Sequence, residues 1–172
     1  MTTDAVILMA GAGSRLGAVA KPLVQIAGRP LISHTLAALE SVGVRRLHAV
    51  MGANSDRLTS ALEPLLPGKI TLNPIVNPEW QKQNGVSVLC AADHVRAPFF
   101  LAMGDHLFDT TIFEQLLRAA NSDDLNLAID RKIDSIFDLD DAMKVETSRN
   151  CVVGIAKNLT EYDAIDTGLF LC

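Results

Sequence analysis

The sequence predicts an α/β fold: a mainly parallel sheet with helices on both faces and a small antiparallel part toward the C-terminus. Three observations predict it. Strand-like apolar runs alternate with amphipathic helical segments as far as Asp130, the rhythm of a parallel sheet with crossover helices. The first run, Ala5-Val6-Ile7-Leu8-Met9, is continuously apolar, as a strand covered on both faces must be. From Asp138 the rhythm changes to short runs of hairpin type.

Taken in order, the first strand breaks into the glycine loop Gly11-Ala12-Gly13-Ser14. Residues Leu31 to Val42 carry Ile32, Leu36 and Leu39 at helical spacing, and Gly43 stops that helix. Arg46 to Met51 is a second strand. Ser55-Asp56 caps a helix with Leu58, Leu62 and Leu65 on one face, closed by Pro67-Gly68. Ile70 to Val76 is a short strand interrupted by Pro74. Asn77 to Asn84 is a polar loop, and a short helix follows from Val86 to Asp93. Pro98 to Met103 is a strand ending on Gly104-Asp105-His106; Thr111 to Ala120 is a helix and Leu125 to Asp130 another strand. Met143 to Glu146 and Cys151 to Ala156 form an antiparallel pair turning at Ser148-Arg149-Asn150, and Ala164 to Cys172 is a final strand. No repeat, linker or low-complexity tract interrupts the series, so residues 1–172 read as one domain. Because the last apolar run has no helix to cover it, the expectation is a domain lacking its C-terminal portion.

Composition narrows the function. Apolar residues make up 49% of the 172, which excludes a disordered chain. The net charge of −5, with no basic cluster larger than Arg45-Arg46 or Arg131-Lys132, argues against nucleic acid as partner. Phosphate binding must then be local. Cys90, Cys151 and Cys172 lie in apolar stretches without metal-site spacing and read as buried thiols of a reducing compartment. No apolar run reaches membrane length and the N-terminus has no signal-peptide profile, so the expectation is a cytoplasmic protein without direct membrane insertion.

The chemistry gathers at strand ends. Arg15 and Lys21 place a planar fork and a point charge beside the N–H groups of the glycine loop, an arrangement suited to phosphate; the alternative is a tight turn with two surface cations. Two better-known glycine loops fail. The dinucleotide fingerprint wants a third glycine where Leu16 stands, and an acidic residue where the second strand runs into Met51-Gly52-Ala53. The Walker loop wants Ser or Thr after its lysine, and Lys21 is followed by Pro22. Asp105, leaving an apolar strand, is placed to hold Mg²⁺ against a triphosphate, or else to cap a helix or turn. His106 beside it reads as structural.

Leu8-Met9-Ala10-Gly11-Ala12-Gly13-Ser14-Arg15 followed by Lys21-Pro22-Leu23 resembles the double motif of the nucleotidyltransferases that make nucleoside-diphosphate sugars and alcohols, the MobA-like enzymes among them. Asn84-Gly85-Val86-Ser87, Met103-Gly104-Asp105-His106, Ala128-Ile129-Asp130-Arg131 and Tyr162-Asp163-Ala164-Ile165-Asp166-Thr167-Gly168 add a similarity to the cytidylyltransferases acting on inositol 1-phosphate, spanning Ala5 to Phe170. The resemblance implies a Rossmann-like nucleotidyltransferase fold, Mg²⁺ as cofactor, and CTP (or another NTP) with a small phosphorylated alcohol or sugar as substrates. It also implies a place in phospholipid biosynthesis beside a membrane synthase partner.

By position, the resemblance implies that Arg15 and Lys21 grip the triphosphate, that Lys157 meets the phosphate of the second substrate, and that Asp105 ligates the metal. Asn84, Gly85 and Ser87 would lie against base and ribose, with Ala10, Gly11, Gly13 and Ser14 closing over the nucleotide; Asp166 would hold polyol hydroxyls. A phosphate monoester is already a nucleophile near pH 7, so alignment and charge neutralisation are the whole task and no Ser, Cys or His nucleophile is required. Without the resemblance, Lys157 is a plain strand lysine, and Asp163 and Asp166 are turn carboxylates. Three rivals stand beside this reading: a sister transferase for a sugar 1-phosphate or phosphocholine, molybdopterin guanylyltransferase-like activity, and a non-catalytic nucleotide-binding module. Phosphocholine wants an aromatic cage that this chain has few residues to build. The family's second metal ligand, expected well after the Asp166-Thr167-Gly168 run, falls beyond residue 172.

Overall fold

A computed structural model of the chain describes residues 3–11, 20–52 and 55–172. They fall into two units, residues up to 126 with 170–172, and residues 127–169.

The first unit is built on β1 (Asp4–Met9), every residue of which is buried. It pairs in parallel with β4 (Arg46–Met51) on one side and with β6 (Phe99–Met103) on the other, and β5 (Thr71–Val76) lies outside β4, also parallel. The strand order is therefore β5-β4-β1-β6, and the order reverses between β1 and β6. A small hairpin, β2 (Gln25–Ile26) and β3 (Arg29–Pro30), turns on Ala27 and Gly28, both at positive φ.

Side chains alternate across β1, and each face finds its own helices. Val6 and Leu8, with Val50, Ile75 and Leu101, pack against Ala91 and Val95 at and beyond the end of α3 (Asn84–Cys90). Phe100 points to the opposite face and meets Phe113 of α4 (Thr110–Ala119) edge-on at 5.2 Å between ring centres. The helix α1 (Leu31–Ser41) packs beside α4, and its Ile32, Leu36 and Leu39 are fully buried, as their spacing requires. Gly43 ends it at φ 96°, with its N–H on Glu40 O and that of Val44 on Leu39 O. The helix α2 (Ser55–Leu62) runs into a 3-10 turn through Leu65 and packs on β5.

In the second unit β8 (Lys144–Ser148) pairs antiparallel with β9 (Cys151–Ala156) and with β10 (Ala164–Leu171), and β7 (Asn126–Asp130) also pairs with β10. The β8–β9 connection is the two-residue turn Arg149-Asn150, both at positive φ. The expected fold class, mainly parallel with an antiparallel C-terminal part, is the one observed.

Three expectations are corrected. Pro74 does not interrupt β5, because β5 is an edge strand where a missing N–H costs no ladder bond. The helix expected from Val86 begins two residues earlier, at Asn84, so Asn84 and Gly85 sit on its first turn rather than in the loop. None of the cysteines is fully buried: Cys151 opens the edge strand β9 straight after the turn and is exposed, and Cys90 and Cys172 are half-buried.

Candidate active site

In an open parallel sheet, ligands bind beyond the carboxyl ends of the strands, at the point where the strand order reverses. Here that point lies beyond Met9 of β1 and Met103 of β6. The chain leaves β1 at Ala10 and Gly11 and leaves β6 at Gly104 and Asp105. Lys21 enters from the short 3-10 turn Lys21–Leu23, whose Pro22 is buried and whose Leu23 N–H donates to Ala20 O. Lys21 Nζ lies 2.7 Å from Asp105 Oδ2, and His106 Nδ1 lies 3.1 Å from Asp105 Oδ1. A cation and a carboxylate 84 positions apart in sequence are thus held together at the reversal point.

The electrostatics follow from this arrangement. The His106 imidazole, and then the Lys21 ammonium, hold the Asp105 carboxyl well below the usual carboxylate range, against the upward push of its partial burial. The His106 ring in turn stacks on Phe108, 6.1 Å away, and Phe108 packs edge-on against Phe113 of α4. His106 is therefore tied to Asp105 and, through Phe108, to the core.

Gly104 is a glycine because β1 is so close. A Cβ there would stand 2.4 Å from Met9 Cγ and 3.0 Å from the Leu8 carbonyl oxygen, to which the Gly104 N–H donates. Gly11 and Gly85 are different: among the described residues, a Cβ on either would meet nothing within 4 Å. Both are exposed.

The first turn of α3 is positioned by Asn77, a buried residue whose sequence context, the start of a polar run, gives no sign of that role. Asn77 N–H donates to Met51 O at the end of β4, its Nδ2 donates to Ser87 Oγ at 2.9 Å, and its Oδ1 accepts from Glu79 N–H. Ser87 is accordingly buried within this network, whereas Asn84 is exposed, with its amide near Met103 Sδ. Trp80 rides on the same loop and reaches Gly52 at the end of β4. Gly13, Ser14 and Arg15 lie outside the described residues.

In the second unit, Lys157 follows β9 directly and pairs with Asp141. Its backbone is fixed by Lys144, a buried lysine whose Nζ donates to the carbonyls of Lys157 (2.7 Å) and Leu139 (3.0 Å). Asp166 lies in β10, where its Oδ1 accepts the N–H of Gly168, a glycine at φ 74°. Asp163 accepts from the Thr147 hydroxyl and N–H and from Arg131, and those contacts hold its carboxyl down at about 2.

No cluster of three or more His, Cys, Asp or Glu suited to a metal exists among the described residues. The donor chemistry at Asp105 nonetheless fits Mg²⁺, a hard cation that takes one or two carboxylates and completes its shell with phosphate oxygens and water. An ionised carboxylate with a cation beside it suits a metal that arrives with a polyphosphate. Among the described residues no helix is long and apolar enough to cross a membrane.

A family model described as the MobA-like NTP transferase domain matches residues 5–134. The chain is 34% identical over 168 residues to the bifunctional IPC transferase and DIPP synthase of Thermococcus kodakarensis, covering 97% of this chain and 37% of that one. It is 37% identical over 123 residues to the CMP-5'-(3-aminopropyl)phosphonate synthase of Streptomyces rubellomurinus, covering 67% and 19%. Among solved structures, the inositol-1-phosphate CTP transferase from T. maritima superposes with a TM-score of 0.84 at 26% identity, over 99% of this chain and 70% of that one. The chain spans between 32% and 39% of the length of the bifunctional relatives it matches.

Proposed function

This chain belongs to the MobA-like NTP transferase domain family, and from that premise we propose that it transfers CMP from CTP to inositol 1-phosphate, giving CDP-inositol and pyrophosphate. A phosphate oxygen of the monoester attacks the α-phosphorus of CTP. The bond from that phosphorus to the bridging oxygen breaks, and pyrophosphate leaves with the electron pair. The observation that carries the reading is the Lys21–Asp105 pair at the reversal of strand order, a cation and a carboxylate brought together where the sheet binds ligands.

Each residue then has a task. Lys21, and Arg15 by its place in the motif, neutralise charge growing on the triphosphate oxygens. Asp105 holds Mg²⁺, which supplies Lewis-acid stabilisation of the same oxygens when bound. Ala10, Gly11, Gly13 and Ser14 offer backbone N–H groups to the nucleotide, and the exposure of Gly11 and Gly85 supports such an approach. Asn84, Gly85 and Ser87 form the base and ribose side, Ser87 acting through its bond with Asn77. Lys157 meets the acceptor phosphate by giving up its pairing with Asp141. Asp166 accepts from polyol hydroxyls. The reaction belongs to the cytoplasm, as a step of phospholipid biosynthesis whose product passes to a membrane synthase; the joining of IPC transferase and DIPP synthase in single relatives supports that placement.

The test is pyrophosphate release with Mg²⁺ and CTP, across inositol 1-phosphate, glucose 1-phosphate, phosphocholine and an aminoalkylphosphonate. Release with inositol 1-phosphate alone is expected. The last acceptor is included because of the Streptomyces relative's name; release only with it would keep the transfer and replace the acceptor.

A further inference from the structure

Gly52 follows β4 with an ordinary φ, so nothing in its backbone requires glycine. What requires it is room. A Cβ at Gly52 would stand 2.8 Å from Trp80 Cγ, 3.1 Å from Trp80 Cβ and 2.8 Å from the Ala10 carbonyl oxygen. The missing side chain thus lets the root of the indole settle against the end of β4, beside the point where the chain leaves β1 for the glycine loop. The loop carrying the ring is anchored through Asn77, which binds Met51 O and Ser87 and whose Oδ1 takes the Glu79 N–H; within the loop Glu79 pairs with Lys82. Trp80 is nonetheless only half-buried, in a chain that has a single tryptophan. Exposed polar groups for reading a base edge, on Gln83 and Asn84, follow within four positions.

We propose that Trp80 is the platform on which the nucleotide base lies, seated for that purpose by Gly52. A large ring anchored at its root and open toward solvent at the carboxyl ends of β1 and β4 offers a π-face to any base. It supplies affinity, while the edge-reading groups supply preference. The inference rests on the nucleotidyl-transfer reading given above.

Because Trp80 is the sole tryptophan, its fluorescence reports the site directly. Titration of the full chain with CTP and Mg²⁺, and separately with CMP, is expected to quench it, while inorganic tripolyphosphate, which has no base, leaves it unchanged. In turnover, Trp80→Ala is expected to raise KM for CTP roughly 10-fold or more. The KM for inositol 1-phosphate and the inhibition by tripolyphosphate should stay as they are, and Trp80→Phe should recover most of the loss. Gly52→Ala, which displaces the ring without removing it, should reproduce the CTP defect. Equal quenching by tripolyphosphate, or an unchanged KM for CTP in Trp80→Ala, overturns the platform. Wild-type turnover separates the two ideas: a chain that turns over CTP while Trp80→Ala is unaffected refutes the platform alone. A chain that turns over a different NTP with base-dependent quenching keeps the platform and replaces the base.

Discussion

At the scale of single residues, Lys21 is the side chain with most at stake. Its ammonium is half-exposed, so its ion pair with Asp105 contributes little to stability in water. In the proposed transfer the same charge would act where negative charge grows on the triphosphate, and removing one such donor costs on the order of 100- to 1,000-fold in rate. Lys21→Ala should therefore lower kcat by about that factor while the thermal midpoint stays within about a degree of wild type. Unchanged turnover would take Lys21 out of the site. The sequence carried this residue and Asp105 as motif members at strand ends, and the rule that ligands gather at carboxyl ends was enough to suspect both. Their direct contact was not legible, because it depends on which strands are neighbours. The Gly52–Trp80 contact was hidden for a related reason: a glycine needed for room looks, in sequence, like a glycine needed for a turn.

At the scale of elements, two close approaches decide local geometry. Gly104 brings the exit of β6 against Met9, and a methyl group there would have to push Met9 Cγ or the Leu8 carbonyl aside. Gly104→Ala should cost about 1–3 kcal/mol, the usual penalty for overpacking a tight site. It should also lower activity beyond the loss of folded protein, because Asp105 moves with the displaced turn; denaturant unfolding and kcat on the same preparation separate the two. The β8–β9 turn offers the opposite case. Arg149 stands at φ 49° in a two-residue connection that favours Asn or Gly, so Arg149→Asn should raise stability by about 0.5 kcal/mol without touching activity. That hairpin was legible because its turn and flanking apolar runs are local. The start of α3 was not: Asn84 and Gly85 are poor helix formers, Gln83 gives no side-chain cap, and the turn stands on Asn77, ten positions back from its partner Ser87.

At the scale of the whole molecule, the acid limb of stability follows from how the strands are tied at their amino ends. Asp4 opens β1 and takes Arg46 of β4 in two bonds of 2.7 Å, Nε on one oxygen and Nη2 on the other. His48 Nε2 stands 2.9 Å from the same carboxylate, and Asn73 of β5 contacts the far nitrogen of that ring at 3.0 Å, so one acid links three adjacent strands. Arg46, and then His48 and Thr3, hold the Asp4 carboxyl down from its ordinary 3.8 to about 2, against the opposing effect of burial. A depressed carboxylate stabilises the fold above its unfolded value and ceases to do so as pH falls through its folded one. Asp4 therefore contributes its full share above about pH 4 and loses it on the way down to about pH 2. Asp105, Asp109 and Asp163 are shifted in the same direction, with water screening the effect at the exposed Asp109 and Asp163. For Asp4 the share is about 2 kcal/mol, since its side chain is nearly all buried even though Arg46 is mostly exposed. Asp4→Asn keeps the shape and an acceptor for His48 but removes the charge that Arg46 answers. The variant should be about 2 kcal/mol less stable than wild type in urea at pH 7, with the gap nearly closed at pH 2. A gap that persists undiminished at pH 2 would mean that the Asp4 carboxylate charge contributes nothing and that the loss comes from packing alone.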